Sequence, residues 1–209
     1  MPGPYQIRNS NSVSLAAQVE TLHAEPILFG NAKDSHEDLR VKISTGLAAD
    51  ALILSGGVSA GKYDLVEPVL REFDAEFIFD AVAIRPGKPV VFAICHGKPV
   101  FGLPGNPVST MVTFELFVRP AIEILSGASA APVPFLEAVL ADRIHEKPGL
   151  THFLPAALEY ADPPRVTPLR WLGSGDIIAM ARANCLLVIP SDRETMSAGE
   201  RVCVLPRGL

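Results

Sequence analysis

The chain has 209 residues, of which 48% are hydrophobic and 20% are charged. This length and apolar content can bury a full core, which excludes a disordered polymer and allows one large domain or two small ones. The 18 basic and 23 acidic residues give a formal net charge of −5, and the basic residues form no cluster of five or more. We therefore expect neither a nucleic-acid partner nor binding to a membrane surface.

Nothing in the sequence predicts a secretory signal or a membrane span. Residues 1–6 lack a basic region and an apolar region, and the longest uncharged stretch, residues 99–114, contains several Pro and Gly residues. Cys95, Cys185 and Cys203 lie far apart and match no metal-ligand spacing. This pattern favours buried free thiols in a reducing compartment, and we expect a cytoplasmic protein.

The first half alternates short apolar runs with segments of helical period. Helices are predicted over residues 14–22, 35–47, 63–73 and 108–125, and strands over residues 26–29, 51–54, 77–84, 90–94 and 100–103. Ser35 and Asp38 form a weak capping-box pattern, residues 95–98 are typical of a hairpin, and Pro120 should kink or split the last helix. The alternation predicts an α/β domain around a largely parallel sheet.

The pattern changes after residue 128. Residues 128–134 predict a linker, and five short apolar segments follow at residues 135–140, 152–158, 166–172, 185–189 and 202–205. Such spacing predicts a small β-barrel or sandwich, interrupted by one helical turn over residues 176–183. We predict two domains, residues 1–128 and 129–209, with Trp171 in the core of the second.

A glycine-rich loop separates the predicted strand at residues 51–54 from the next helix. Its sequence is SGGVSAGKYD, residues 55–64. Glycines let a ligand approach the backbone closely, and the N-terminus of the following helix favours an anion. The spacing matches neither the dinucleotide fingerprint nor the Walker A loop. A plain turn between strand and helix explains these glycines equally well.

Two further loops also follow predicted strands. RPGKP, residues 85–89, presents Arg85 and Lys88 from a turn that two prolines stiffen, which suits an oxyanion, although an ordinary surface turn is the alternative. GLPGNP, residues 102–107, either supplies preset backbone contacts or simply starts a helix at Pro107. Open α/β sheets bind ligands at the carboxyl ends of their strands. The joint placement therefore predicts a rim that binds a phosphorylated small molecule.

Two carboxylates lie near this predicted rim. Asp34 precedes a helix and Asp64 lies close to the start of another. Each is either an N-cap or, if both face the anion, a ligand of Mg²⁺ held against phosphate oxygens. The five histidines show no metal-ligand spacing, and no nucleophile motif is evident. These residues alone leave the substrate open.

Together the loops SGGVSAGKYD, RPGKP and GLPGNPVS (residues 102–109) resemble the molybdopterin molybdenumtransferase family, to which bacterial MoeA and the E domain of gephyrin belong. IRNSNS at residues 7–12, the Asp34 region and GSGDI with ARANCLLVIP in residues 173–190 extend the resemblance over nearly the whole chain. It implies a three-layer MoaB/Mog-like α/β domain, lacking its first strand, followed by a small C-terminal β-barrel.

The resemblance also implies an activity, namely insertion of molybdate into adenylylated molybdopterin with release of AMP and with Mg²⁺ as cofactor. Asp34 and Asp64 match acidic active-site residues and are the implied metal ligands, while Arg85 and Lys88 match the basic positions. The implied substrate-binding residues are Ser55, Gly56, Gly57, Ser59, Gly61, Pro104, Gly105, Asn106 and Pro107. Full-length members of the family are expected to form homodimers.

The sequence departs from the family pattern at its start. The family has a strand ending in a T-G-D-E-L motif, with an active-site Glu, ahead of the helix that begins here near Asn11, and two further domains before it. We expect either a fragment of a longer enzyme or a naturally truncated protein. Two alternatives stay open: a non-catalytic molybdopterin-binding or assembly module, and a MoaB/Mog-type molybdopterin adenylyltransferase, which would lack the barrel.

Overall fold

The computed structural model describes residues 8–57 and 65–207. The helices are α1 (Ser10–Thr21), α2 (His36–Gly46), α3 (Val66–Glu72), α4 (Pro107–Thr113), α5 (Arg119–Leu125) and α6 (Ile177–Arg182). The strands are β1 (Leu52–Ser55), β2 (Glu76–Phe79), β3 (Ile84–Arg85), β4 (Val91–Cys95), β5 (Lys98–Leu103), β6 (Leu136–Leu140), β7 (Ile144–His145), β8 (Thr151–Glu159), β9 (Arg165–Pro168), β10 (Cys185–Ile189), β11 (Thr195–Met196) and β12 (Arg201–Pro206).

The first sheet has the order β1-β5-β4-β2. Only β1 and β5 run parallel, with Leu52 opposite Val100, and the other two pairs are antiparallel. The expectation of a largely parallel sheet is therefore wrong for the described strands. The physical reason is the predicted hairpin, since His96 and Gly97 both adopt positive φ angles of 50° and 76°, as a tight two-residue turn requires.

Helices cover both faces of this sheet, which confirms the three-layer α/β prediction. Successive side chains of a strand point to opposite faces, and β5 shows this clearly. Val100 packs with Ile43 of α2, whereas the next residue, Phe101, packs with Leu15 of α1. Ser35 caps α2 by accepting a hydrogen bond from the N–H of Asp38, as the capping-box pattern predicts.

The predicted strand at residues 26–29 does not form. Ile27 and Leu28 are 59% and 62% exposed, and the segment pairs with no described strand. Instead the Lys42 ammonium donates a hydrogen bond to the Phe29 carbonyl oxygen at 2.7 Å. An apolar run becomes a strand only where a neighbouring edge satisfies its backbone groups, and the sequence pattern cannot supply that edge.

The long helix predicted over residues 108–125 is interrupted near Pro120, as expected. The turn Phe114–Val118 is π-helical and separates α4 from α5, and Pro120 is the second residue of α5. Proline cannot donate to the helical ladder, and a widened turn just before it accommodates the missing bond. No helix in the described parts of the chain has the length and apolar character of a membrane span.

The second half forms the predicted barrel. Strands β10, β12, β6, β9 and β8 pair in this order, and β10 also pairs with β8, which closes a five-stranded barrel. The predicted helical turn is α6, capped by Asp176, whose pKa lies below its usual range because it accepts the N–H bonds of Ala179 and Leu172. Trp171 is partly buried and packs against the barrel core, as expected.

The short strand β3 connects the two domains. It runs parallel to the start of β8, with Ile84 opposite Thr151 and Arg85 opposite His152. The predicted extended segment at residues 77–84 is therefore divided, because β2 stays in the first sheet while β3 joins the barrel. As a result the RPGKP turn lies where the two domains meet.

The cysteines differ in exposure. Cys95 and Cys185 are buried free thiols, whereas Cys203 is exposed because it lies on the outward-facing side of β12. The expectation of three buried thiols is wrong for Cys203. Burial raises the pKa of Cys185 to about 11, and burial together with the nearby Asp74 raises the pKa of Cys95.

We predict that iodoacetamide at pH 8 modifies Cys203 in the folded protein and leaves Cys95 and Cys185 intact. The thiolate is the reactive form, so the exposure of Cys203 favours its reaction, whereas burial and a raised pKa protect Cys95 and Cys185. Peptide mass spectrometry after timed labelling would measure this. The unfolded chain should label at all three positions. Labelling of Cys185 at the rate of Cys203 in the folded chain would contradict the burial seen here.

Candidate functional site

Two glycine-containing loops meet at the carboxyl ends of β1 and β5. The Gly56 N–H donates to the Leu103 carbonyl at 2.9 Å, and the Ser55 hydroxyl lies 3.5 Å from the Pro104 carbonyl. A Cβ on Gly105 would lie 3.6 Å from the Cα of Gly56, so the space between the two backbones is about that of one methyl group. The structure thus brings these predicted residues together at one edge of the sheet.

Positive φ angles explain the glycine pair after β1. Gly56 has a φ of 81° and Gly57 a φ of 69°, a left-handed conformation that glycine adopts most readily. Gly57 and Gly105 are exposed. Their backbone groups are therefore accessible to a ligand at the rim.

Asn11 is a site residue to which sequence reasoning gave no role. It lies in the first turn of α1, and its side-chain N–H₂ group donates to the Ser55 hydroxyl and to the Gly105 carbonyl, both at 2.8 Å. The only signal in the sequence was its position within IRNSNS, one of the segments that carried the family resemblance. Its contacts depend on tertiary structure.

The RPGKP turn follows β3 and presents its two cations outward. The Lys88 carbonyl accepts from the N–H groups of Val82 and Val90, which closes the turn. Arg85 and Lys88 are exposed, whereas Pro86 and Gly87 are buried. The turn therefore presents two positive charges at the surface, while the two residues between them are packed in the interior.

Gly87 fits the turn against α4. Its φ is 111°, and a Cβ on it would lie 2.6 Å from the Thr113 methyl carbon and 3.3 Å from Ile84. Real Cβ atoms do not approach so closely. Glycine is therefore required here by both backbone conformation and space.

An open cleft of about 490 Å³ separates this turn from the barrel loop at residues 171–175. Its polar and aromatic lining comprises Arg85, Lys88, Ser109, Trp171 and Ser174. No carboxylate from the described residues is part of this lining. Two cations with no opposing anion favour an oxyanion as occupant.

The barrel loop is fastened to the start of α4. Val108 donates its N–H to the Ser174 carbonyl, and the Asn106 side chain donates to the Ser174 hydroxyl, both at 3.0 Å. Pro107 occupies the first position of α4, as predicted. Ser174 belongs to the cleft although sequence reasoning did not include it, because only the packing of the barrel brings it there.

Residues 104–109 belong to both parts of the site. Pro104 and Gly105 contact the loop after β1, while Asn106 and Ser109 face the barrel side. The Thr110 hydroxyl donates to the Pro104 carbonyl at 2.5 Å and holds this segment to α4. The glycine loops and the cationic cleft are therefore adjacent regions of one site.

The predicted metal ligands are only partly described. Asp34 is exposed and is not the N-cap of α2, since Ser35 has that role. Its segment is tied to α1 by a hydrogen bond between the Asn9 and Asn31 side chains. Within residues 8–57 and 65–207 no group of three or more His, Cys, Asp or Glu could hold a metal. Ser59, Gly61 and Asp64 lie outside the described residues.

Comparison with known families supports the resemblance of the loops. Residues 3–124 match the family described as "Probable molybdopterin binding domain". Residues 137–206 match the "MoeA C-terminal region (domain IV)". The chain belongs to the MoeA family. The predicted domain boundary at residues 128 and 129 falls between the two matched regions.

Two curated relatives match nearly the whole of this chain. A molybdopterin molybdenumtransferase of Nostoc is 37% identical over 211 residues, covering 97% of this chain and 48% of the relative. One of Staphylococcus aureus is 32% identical over 202 residues, covering 96% and 48%. The chain therefore spans about half the length of these curated relatives.

Solved structures agree with this assignment. The molybdopterin biosynthesis MoeA protein of Pyrococcus horikoshii superposes with a TM-score of 0.82 at 31% identity, over 99% of this chain and 50% of that one. A molybdenum cofactor biosynthesis protein of Pyrococcus furiosus gives a TM-score of 0.74 at 28% identity, over 95% and 64%. The predicted combination of α/β domain and barrel is confirmed, whereas the individual site residues stay predictions.

We predict that Gly87→Ala lowers the free energy of unfolding by about 2–5 kcal/mol. This is the sum of about 1–2 kcal/mol for a residue with a Cβ at a positive φ and about 1–3 kcal/mol for overpacking against Thr113. Gly97→Ala is the matched control, since Gly97 also has a positive φ but nothing within 4 Å, and should cost only about 1–2 kcal/mol. Urea unfolding curves would compare them. Equal losses would show that the contact with α4 is unimportant.

Proposed function

We propose that this protein acts in molybdenum cofactor biosynthesis, inserting molybdate into adenylylated molybdopterin with release of AMP. The observation that carries the proposal is the adjacency of two glycine loops and a two-cation cleft, joined through residues 104–109. One ligand can thus contact backbone groups in one region while an oxyanion occupies the other. The family assignment supports the substrate class.

In this proposal Arg85 and Lys88 bind molybdate. A guanidinium offers parallel N–H donors that match an oxyanion, and an ammonium adds a compact charge from the other end of the turn. The Ser174 hydroxyl and Ser109 add polar groups at the barrel side, and Leu150 and Trp171 add apolar lining.

The glycine loops bind the phosphate-bearing part of adenylylated molybdopterin. Gly56, Gly57 and Gly105 allow the ligand to reach main-chain N–H groups, and Ser55 supplies a hydroxyl. Ser59 and Gly61 complete the same loop in this proposal. Molybdate in the cleft then lies next to the molybdopterin that receives it, so binding alone brings the two reactants together.

Magnesium enters the proposal through Asp34 and Asp64. Mg²⁺ commonly takes one or two carboxylates and completes its shell with water and substrate phosphates, so a three-ligand protein cluster is not required. The exposed carboxylate of Asp34 fits such a shared site. Magnesium bound there would offset the charge of the ligand's phosphates.

The other expected properties also remain proposals. They are homodimerisation, a cytoplasmic location and no nucleic-acid or membrane partner. An adenylyltransferase activity is less well supported, because the cleft is built partly from the barrel, which MoaB/Mog-type enzymes lack. A non-catalytic binding module would keep the same cleft and is distinguished only by turnover.

We predict that Arg85→Ala and Lys88→Ala each weaken molybdate binding about 10-fold or more, since each removes a charge-assisted contact worth about 1.5–3 kcal/mol. Trp171 is the only tryptophan and lines the cleft, so its fluorescence can report binding. Arg201→Ala is the control, because Arg201 forms an exposed ion pair with Glu137. Unchanged affinity in both cleft variants would place the oxyanion elsewhere.

We expect the complete polypeptide, given adenylylated molybdopterin, molybdate and Mg²⁺, to release AMP in step with molybdenum incorporation. Chromatographic AMP measurement and metal analysis of the pterin product would follow both. Sulfate in place of molybdate is the control oxyanion. Ligand binding without AMP release would indicate the non-catalytic module instead. ATP-dependent formation of adenylylated molybdopterin would indicate the adenylyltransferase.

A further inference from the structure

Helix α1 carries two side-chain amides on one face, seven residues apart. The Asn11 amide donates to Ser55 and Gly105 at the glycine loops. The Gln18 amide donates to the Glu115 carboxylate at 2.8 Å and to the Met111 carbonyl at 3.4 Å. One amide therefore fastens the helix to the site, and the other fastens it to α4 and the π-helical turn.

Asn11 connects segments that are far apart in the chain. Ser55 lies 44 residues away and Gly105 lies 94 residues away. The two acceptors take both hydrogens of the amide, so the relative position of the two loops is set by one rigid planar group. The Ser55 hydroxyl in turn lies within reach of the Pro104 carbonyl, which extends the connection to the second loop.

The bond to Gly105 also orients the following peptide. The peptide that joins Gly105 to Asn106 is trans, and the C=O and N–H of a trans peptide point in opposite directions. Holding the Gly105 carbonyl against Asn11 therefore turns the Asn106 N–H away from α1. The same contact thus controls the spacing of the loops and the direction of a backbone donor.

Part of this arrangement is unfavourable for stability. The Oδ1 atom of Asn11 and the Oε1 atom of Gln18 are both buried and find no hydrogen-bond donor in the part of the chain that the structure describes. Burying an oxygen without a donor is unfavourable, and an apolar side chain of similar size would avoid that cost. A residue that combines an unpaired buried oxygen with donors that organise a binding rim is typical of a functional position.

We propose that Asn11 is a positioning residue, which holds the two glycine loops at the separation and orientation that bind the phosphate-bearing part of the ligand. The inference rests on the proposed function for the identity of that ligand. It assigns to Asn11 no contact with the reacting atoms. Asn11 controls only the position of the two loops.

The test compares Asn11→Leu with Gln18→Met. Each substitution replaces an amide on the same helix by an apolar group of similar size and removes one unpaired buried oxygen. AMP is the probe, and calorimetric titration gives its affinity. We expect Asn11→Leu to weaken AMP binding about 10-fold or more without lowering the melting temperature, and Gln18→Met to leave the affinity within about twofold of the original chain. Asn11→Ser keeps one donor, so its affinity for AMP should lie between those of Asn11→Leu and the original chain.

Amide hydrogen exchange provides a readout that needs no ligand. Asn11→Leu should speed exchange at the Gly56 N–H by about 10-fold or more, and Gln18→Met should not. Unchanged exchange at Gly56 in Asn11→Leu would overturn the proposal, as would equal loss of AMP affinity in both variants. If the unaltered chain fails to bind AMP, the proposed function is in error, and the exchange rates still decide the role of Asn11.

Discussion

The parallel pairing of β1 with β5 is the constraint on which the site depends. Parallel neighbours end at the same edge of the sheet, so the loops that follow them begin side by side. The close approach of Gly56 and Gly105 follows from this pairing. The antiparallel strands β4 and β2 extend the sheet on the other side of β5 and contribute apolar packing, while the ligand-facing loops stay at one end.

A second constraint joins the barrel to this edge. The short strand β3 pairs with β8, and the barrel loop around Ser174 is bonded to the start of α4. These contacts put a loop of one domain opposite the cations of the other. Buried apolar residues from both domains, including Met111, Phe153 and Leu186, pack in the same junction. The cleft is therefore a product of domain packing and belongs to neither domain alone.

Side-chain amides supply the hydrogen bonds of this junction, and glycine allows its close packing. Asn11 links the glycine loops, Asn106 links α4 to the barrel, and Gly87 lets the cationic turn approach α4 closely. Each position restricts the residue types that can occupy it. This is why a loop region with little regular structure can present two cations and several backbone groups in a defined arrangement.

The sequence by itself determined the element types where a local cause exists: the Ser35 cap, the hairpin at His96 and Gly97, the break near Pro120 and the five barrel strands. It also placed three loops after strands, and their motifs indicated the family. Tertiary structure alone decided that residues 26–29 form no strand and that β3 joins the barrel. It also brought Asn11 and Ser174 into the site. Those outcomes depend on which distant edge or loop offers a hydrogen-bond partner, and a local pattern carries no information about partners 44 or 94 residues away.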